Sequence, residues 1–238
     1  MRKYFFIFTL FTFLFSCNNN QENKIDVSAI EVDFSIDRFD VDFYTTKEDS
    51  LFKTKEKYPL FFPKETPDSI WIQKIKNVDE QELFIETQKV YSNIDFLKND
   101  LERLFKYAKY YNPDFKEPKV VTLLSNIDYT NKVIYTKDYL LISLDAYLGE
   151  KHEFYADYPK YIKQNFQKKH IIVDVAQAMI PKQINLDDRT FISKMINEGK
   201  QLYILDKYLP FVNDEEKIGY SPEKYQWAID NEEQVWKY

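Results

Sequence analysis

The most regular hydrophobic pattern in the chain is a row of apolar positions between residues 83 and 108. Its members recur at alternating spacings of four and three residues, which is the period of one face of an α-helix. Phe84, Tyr91 and Phe105 widen the row, which favours burial against a domain core over the narrow seam of a two-stranded coiled coil. We predict one helix of about seven turns, ended by Asn112-Pro113. The row consists of Leu83, Thr87, Val90, Ile94, Leu97, Leu101, Leu104 and Ala108.

Shorter apolar runs predict the strands of a small sheet. Residues 30–43 alternate weakly between apolar and polar types, as a strand with one buried face does. After the long helix, residues 120–124, 132–135 and 139–144 are rich in β-branched and aromatic types and are predicted strands. The turn between the last two is predicted at residues 136–138.

Helical patterns return in the second half of the chain. We predict helices over residues 161–169, 170–179 and 188–209, the last of which stops before Pro210. The last of these helices has a large apolar set, made of Phe191, Ile192, Met195, Ile196, Leu202, Tyr203 and Leu205.

A final helix is predicted to begin at Ser221-Pro222, because serine caps a helix and proline fits its first position. Its pattern still runs at Tyr238, so we expect a single domain over residues 30–238 that is truncated at its C-terminus. The whole pattern predicts an α+β fold that is mostly helical, with a small antiparallel or mixed sheet followed by helices.

The N-terminus has the pattern of a bacterial secretion signal. Arg2 and Lys3 precede an uncharged segment over residues 4–15, which would span roughly 18 Å as a helix, too little for a hydrocarbon core of roughly 30 Å. The segment stops at Ser16-Cys17, and this cysteine is the single one in the chain. The pattern resembles the lipobox read by the bacterial lipoprotein signal peptidase. We therefore predict a signal peptide over residues 1–16 and a lipid on Cys17, where acyl chains would form a lasting membrane anchor.

The residues after Cys17 predict a lipidated polar tether over residues 17–29. The stretch from Asn18 to Lys24 has no apolar residue and should not fold by itself. Asn18 replaces the aspartate that retains lipoproteins in the inner membrane of enteric bacteria, and no dense acidic run marks export to the cell surface. We therefore expect attachment to the outer membrane, with the protein facing the periplasm.

Composition excludes several classes of function. The net charge of −6 becomes −8 once Arg2 and Lys3 leave with the signal, and an acidic chain without a basic cluster is unsuited to nucleic acid. Its three glycines cannot form a phosphate-binding or dinucleotide-binding loop. With one cysteine there is no intrachain disulfide and no cysteine zinc cluster. No cofactor is expected.

Three residues have the types and a loose spacing of metal ligands. His170 and Asp174 are one helical turn apart, and Glu198 lies on the next predicted helix. In a zinc peptidase helix, however, the residue after the first histidine is the glutamate that takes a proton from the metal-bound water, and here it is Ile171. The alternative is structural: Glu198 bonds a nearby cation, and Gly199 allows another backbone to pack closely.

The sequence resembles the GldB family of gliding-motility lipoproteins of the Bacteroidetes. The resemblance rests on the lipobox at Cys17, on residues 143–149 (Ser-Leu-Asp-Ala-Tyr-Leu-Gly) and on the aromatic run at 154–162. Its most specific part is residues 195–203, Met-Ile-Asn-Glu-Gly-Lys-Gln-Leu-Tyr. It implies a role in gliding and in the associated type IX protein secretion machinery, with other envelope proteins of that machinery as partners.

The same family is distantly similar to predicted zinc metallopeptidases with an HExxH helix. That similarity implies a degenerate metallopeptidase-like fold, because Ile171 and Asp174 stand where the base and second histidine would be. Three hypotheses follow: a non-enzymatic structural or assembly component of the envelope, a divergent metal-dependent peptidase using His170, Asp174 and Glu198, and a lipoprotein that binds glycans or peptides. The first is the leading one, since fold analogy alone does not establish catalysis.

Overall fold

The computed structural model describes residues 25–180 and 190–237. The predicted signal, Cys17 and the first part of the predicted tether lie outside the described residues. The strands are β1 (Ile36–Arg38), β2 (Lys119–Leu123), β3 (Val133–Tyr135) and β4 (Tyr139–Ser143). The helices are α1 (Phe39–Tyr44), α2 (Leu51–Lys57), α3 (Asp68–Lys76), α4 (Val78–Tyr91), α5 (Asp95–Tyr111), α6 (Lys160–Lys163), α7 (Ile171–Met179), α8 (Phe191–Tyr208), α9 (Asp214–Lys217), α10 (Pro222–Asp230) and α11 (Glu232–Val235). This mostly helical α+β architecture confirms the predicted fold class.

The sheet is mixed, with strand order β1-β2-β4-β3. Strand β2 pairs in parallel with β1 and with β4, whereas β3 and β4 form an antiparallel hairpin. At its turn, the N–H of Tyr139 donates to Thr136 Oγ1, and the N–H of Thr136 donates to the Tyr139 carbonyl. The three strands predicted between residues 120 and 144 are therefore confirmed, with ends displaced by one residue at most.

The predicted strand over residues 30–43 is wrong in its extent. Val32 and Phe34 do pack against the core while Asp33 between them is exposed, so the alternation is real. Only Ile36–Arg38 pairs with the sheet, however, and a helix begins at Phe39. Alternation in side-chain burial predicts an extended backbone, but it does not require a neighbouring strand to pair with.

Strand β2 is covered on both of its faces. Val120 joins the larger core, to which α5 and α7 contribute, whereas the next residue, Val121, joins a second cluster. This opposition follows from the two-residue period of a strand. The second cluster comes mainly from the segment between α1 and α3 and is strongly aromatic, containing Phe43, Tyr44, Leu51, Tyr58 and Phe62. The sheet is thus an interior layer between two sets of helices.

The predicted single helix over residues 83–108 is two helices, α4 and α5. Ile94 has φ −118° and ψ 18°, outside the helical region, and Asn93 Oδ1 accepts a hydrogen bond of 2.7 Å from the N–H of Asp95. The asparagine thereby supplies a partner for an otherwise unsatisfied N–H at the start of α5. Members of the apolar row on both sides of the break, such as Leu83 and Leu101, are still buried. The predicted face was right and the predicted continuity was wrong.

Two later helices are also shorter than predicted. Over residues 161–169 the α-helix is limited to the single turn of α6, and a separate 3-10 turn forms at Lys168–His170. The helix stops because Phe166 leaves the helical path, is buried, and offers its carbonyl to the N–H of Gly149. The predicted helix after Ser221 begins as expected, with the serine hydroxyl accepting from the N–H of Lys224, but it ends at Asp230. Its predicted continuation toward Tyr238 is therefore wrong, since α11 starts anew after Asn231.

Helices α7 and α8 confirm the remaining helical predictions within the described residues. The close backbone packing predicted at Gly199 is wrong. A Cβ built on this glycine meets nothing within 4 Å, and the residue is exposed. Helix α8 therefore carries the roughly 1 kcal/mol cost of an internal glycine without a packing reason.

A buried carboxylate connects the N-terminal elements to the sheet. Asp40 lies in the first turn of α1 and is fully buried. Its oxygens accept hydrogen bonds from Arg38 Nε at 2.9 Å and Nη2 at 2.7 Å, from Thr122 Oγ1 at 2.6 Å and from Gln88 Nε2 at 3.0 Å. These contacts join β1, α1, α4 and β2 at one point, and they leave the buried charge well satisfied.

Replacement of Asp40 by alanine should lower the free energy of unfolding by about 3 kcal/mol, because the mostly buried Arg38 guanidinium loses its carboxylate partner. Equilibrium unfolding in urea, followed by far-ultraviolet circular dichroism, measures this change. Asp68→Ala is the control, since that carboxylate is 58% exposed and its bridge to Lys55 should contribute less than about 1 kcal/mol. Equal losses in the two variants would contradict the structural role of Asp40.

Candidate functional site

The three predicted metal-ligand candidates do not form one site. His170 directly precedes α7 and is buried, Asp174 lies within α7, and Glu198 is on the exposed side of α8. Among residues 25–180 and 190–237, no group of three or more His, Cys, Asp and Glu side chains is arranged to hold a metal ion. His170 and Asp174 are close enough to influence each other electrostatically, whereas Glu198 points to solvent.

His170 is buried beside charged residues of both signs. Its Nδ1 atom is buried and has no hydrogen-bond partner. Burial lowers the pKa of the imidazole, and the neighbouring Lys169 lowers it further, although Asp174 opposes this shift. The neutral form is therefore favoured. Ile171, which stands at the position of a catalytic base, is itself buried in the larger core.

Asp174 is bound by two neighbours through the same oxygen. Lys132 Nζ lies 2.5 Å from Asp174 Oδ2, and the hydroxyl of Tyr147 donates to that oxygen at 2.6 Å. The Lys132 ammonium also lies over the rings of Tyr147 and Phe166, 5.0 and 5.6 Å from their centres. The pKa of Tyr147 is raised, first by burial and then by the Asp174 carboxylate, so the phenol stays protonated as a donor. Asp174 therefore connects α7 to the strand β3 region and to the segment after β4.

Asp145 anchors the loop that follows β2. This fully buried carboxylate accepts hydrogen bonds from the N–H of Ser125 at 3.0 Å and from the N–H of Ile127 at 2.7 Å. Burial raises the pKa of Asp145, and the two backbone donors oppose that rise. Asn126 and Ile127 have φ of 58° and 59°, a left-handed conformation that needs such external support in a residue like isoleucine.

A buried tyrosine connects Asp145 to the next segment. The hydroxyl of Tyr155 donates to the carbonyl of Asp145 and accepts from the N–H of Leu148. The hydroxyl of Tyr91 donates to the carbonyl of Tyr147 at 2.6 Å, so α4 joins the same network. Residues 143–149 and Tyr155, which carry part of the family resemblance, are therefore the polar interior of the fold.

A shallow open hollow of about 460 Å³ lies beside this network. Its lining includes Gly149, His152 and Lys168. His152 Nδ1 accepts from the N–H of Phe154, and the Lys168 ammonium lies 3.7 Å above the centre of the Phe96 ring. Both polar side chains thus have local structural partners, and neither is paired with a nucleophile.

The most exposed apolar surface lies on the late helices. Of the apolar set predicted for α8, Leu205 is buried, whereas the six other members are exposed. Phe191 and Tyr203 are 75% and 63% exposed. Trp227, on α10, is 59% exposed, and Trp236, directly after α11, is 71% exposed. Residues 195–203, the most specific part of the resemblance, thus lie on a largely exposed helix. No helix in residues 25–180 or 190–237 combines the length and hydrophobicity needed to cross a membrane.

The polar network was not found from the sequence, since its members come from distant segments. Lys132 and Asp174 are 42 positions apart, and Asp145 contacts a loop 18 to 20 positions earlier. One signal was available for Asp145, because a carboxylate within the apolar run that ends the hairpin must find donors when it is buried. Nothing in the spacing identified Lys132 as the partner of Asp174.

Asp174→Ala should lower the free energy of unfolding by about 2 kcal/mol, because the Lys132 ammonium and the Tyr147 hydroxyl both lose their acceptor. Glu198→Ala, on the exposed side of α8, should stay within about 0.5 kcal/mol of the parent. Urea unfolding with and without added zinc measures both variants. A zinc-dependent stabilisation that His170→Ala, Asp174→Ala and Glu198→Ala each abolish would contradict this assignment.

His170 should make the fold less stable in mildly acidic solution. Its pKa is lower in the folded chain than in the unfolded chain, so the unfolded chain binds more protons as the pH falls below about 6.5. The stability contributed by neutral His170 is fully present above about pH 6.5. As the pH falls from there toward the lower pKa of the folded chain, this stability is lost at a rate of at most about 1.4 kcal/mol per pH unit. Thermal unfolding of wild type and His170→Gln at about pH 7.5 and about pH 5.5 should show a smaller pH effect in the variant. An equal pH effect in wild type and His170→Gln would contradict this role of His170.

The sequence matches one known protein family over most of its length. A family model described as gliding motility protein GldB, of the lipoprotein type, matches residues 20–238. That range includes the sheet, the network around Asp145 and Asp174, and α8. No curated protein and no solved structure matches the chain. The match covers most of the sequence and confirms the resemblance drawn from its motifs: the chain belongs to the GldB family of gliding motility lipoproteins.

Proposed function

We propose that this protein is a non-catalytic structural or assembly component of the gliding apparatus and its associated type IX secretion machinery. It is held in the outer membrane by a lipid on Cys17 and faces the periplasm. Family membership supports the link to gliding and to lipid anchoring.

The observation that carries the non-catalytic role is the position of the candidate chemical groups. Asp174 Oδ2 is occupied by Lys132 and Tyr147, and Glu198 lies away from them on the exposed side of α8. Ile171, which has no proton-accepting group, is in the core. The acidic candidate nearest His170 is thus bound by a lysine and a tyrosine that hold the fold together, and the third candidate lies elsewhere on the surface, which supports a function exerted by contact.

The C-terminal helices α10 and α11 present the surface that would make such contacts. Trp227, Ile229, Val235 and Trp236 each expose half or more of their surface. Large exposed apolar side chains are typical of protein-binding surfaces, and tryptophan is among the strongest contributors to binding energy there. We call these four residues the tryptophan surface and assign to it the envelope protein partner.

A strain deleted for the gene should lose gliding and type IX secretion, and a plasmid copy should restore both. A copy with Trp227→Ala and Trp236→Ala should accumulate normally, because these side chains are exposed, yet fail to restore gliding. Tyr161→Ala is the matched control, since Tyr161 is 73% exposed on a separate helix and its variant should restore gliding fully. Affinity purification of the lipidated protein from membranes should recover a motility or secretion component with the control and much less with the double variant.

Two results would contradict the proposal. Full gliding with the double variant would remove the tryptophan surface from the function. Stoichiometric zinc in the purified protein, lost in His170→Ala together with gliding, would favour a metal-dependent enzyme instead.

A further inference from the structure

The point at which the tether joins the folded part of the chain is fixed against α5. The hydroxyl of Tyr107 donates to the carbonyl of Ile25 at 3.2 Å, and Lys109 Nζ donates to the carbonyl of Glu31 at 3.0 Å. Ile25 is the first described residue. The surface around Tyr107 is therefore where the chain leads toward its N-terminal anchor.

Covalent geometry limits how far this surface can be from the membrane. Ile25 lies eight positions after Cys17, and even a fully extended chain of that length spans only about 28 Å. This step rests on the lipid that the proposed function places on Cys17. Given that lipid, Ile25 and the side of the domain that carries Tyr107 stay within about 28 Å of the bilayer surface.

That side of the domain carries a group of exposed tyrosines. Tyr110 is 47% exposed, Tyr111 37% and Tyr203 63%. The rings of Tyr110 and Tyr111 meet edge to face at 5.0 Å. Helices α5 and α8 are in contact, which brings Tyr203 to the tyrosines of α5. Partial burial raises the pKa of Tyr111, Lys207 lowers it, and Tyr110, Tyr203 and Tyr107 raise it, as expected of neighbours on this surface. We call Tyr107, Tyr110, Tyr111 and Tyr203 the tyrosine patch.

Helix α8 extends the patch with apolar residues. Ile196 and Ile192 lie seven and eleven positions before Tyr203, on the same helical face, and are 47% and 67% exposed. The distance from Ile192 to Tyr203 along the helix is about 16 Å. Lys207, whose ammonium is 5.0 Å from the Tyr203 ring centre, adds a cation at the edge. The combined surface is long, apolar and aromatic, with polar hydroxyls and a positive charge.

This chemistry fits the headgroup region of a bilayer. Tyrosine has an apolar ring and a polar tip and is enriched where membrane meets water, and lysine is attracted to anionic lipid headgroups. We propose that the tyrosine patch and the exposed face of α8 lie on the membrane that holds the lipid, so that the domain has a fixed orientation. The tryptophan surface belongs to other helices, α10 and α11, and is assigned to the protein partner.

Site-directed spin labelling of the full lipidated protein tests this orientation. The sulfur of Cys17 is consumed by its bond to the lipid, so one introduced cysteine is the single reactive thiol in the chain. Nitroxides at Tyr203→Cys and Ile196→Cys are compared with a control nitroxide at Phe52→Cys. Phe52 is an aromatic residue on α2 that is 54% exposed. Helix α2 belongs to the second cluster, which covers the face of β2 opposite the larger core. The protein is reconstituted in vesicles of phosphatidylethanolamine and phosphatidylglycerol. Collisions with a water-soluble nickel chelate and with oxygen are measured.

We expect a several-fold loss of nickel collisions at positions 203 and 196 relative to position 52, with a gain in oxygen collisions. Equal nickel collisions at all three positions, in protein that floats with the vesicles and carries lipid by mass spectrometry, would overturn the membrane contact and leave the proposed anchoring intact. A preparation without lipid would overturn both. Labels shielded in native membranes but not in vesicles would assign this surface to a protein partner and overturn the lipid contact.

Discussion

Strand β2 is buried on both faces, and much of the remaining structure satisfies the requirements that follow. Val120 and Val121 need apolar partners on opposite sides, which the two helical layers supply. Thr122 lies in the same strand and is also fully buried, so its hydroxyl needs an acceptor. That acceptor is Asp40, whose charge in turn requires Arg38. One doubly covered strand thus fixes the start of α1, the position of β1 and the contact with α4.

On the other side of the sheet the same logic operates through tyrosines. Tyr147 and Tyr155 are fully buried, and each hydroxyl finds a polar partner on a different segment. Tyrosine fills space as phenylalanine does while it also closes an unsatisfied carbonyl or carboxylate. Asp174 and Asp145 act as acceptors in this interior. This arrangement gives the residues of the family motif a physical role in folding, and it leaves the outer surfaces of the late helices to function.

Side-chain periodicity predicted which faces are buried better than where elements end. The row from Leu83 to Ala108 continues across the break because three non-helical residues, 92–94, leave the next apolar face toward the same core. The hairpin was predicted well, since the signals for β3, its turn and β4 are local. Burial of Phe166 ended α6 early, and such a long-range contact has no trace in local spacing. The ligand candidates failed to group for a similar reason, because residue type and spacing do not reveal that Lys132 reaches Asp174 first.

The loop held by Asp145 has a consequence for which residues position 127 can hold. Asparagine tolerates the left-handed conformation of position 126, but the branched side chain of Ile127 is strained there by about 1–2 kcal/mol. The partly buried Ile127 side chain packs against the larger core, so its apolar contacts offset the backbone strain. Glycine at this position would relax the backbone and lose that contact, two effects of similar size and opposite sign. Position 127 can therefore exchange apolar contact for a relaxed backbone with little net change in stability, provided that Asp145 still anchors the loop.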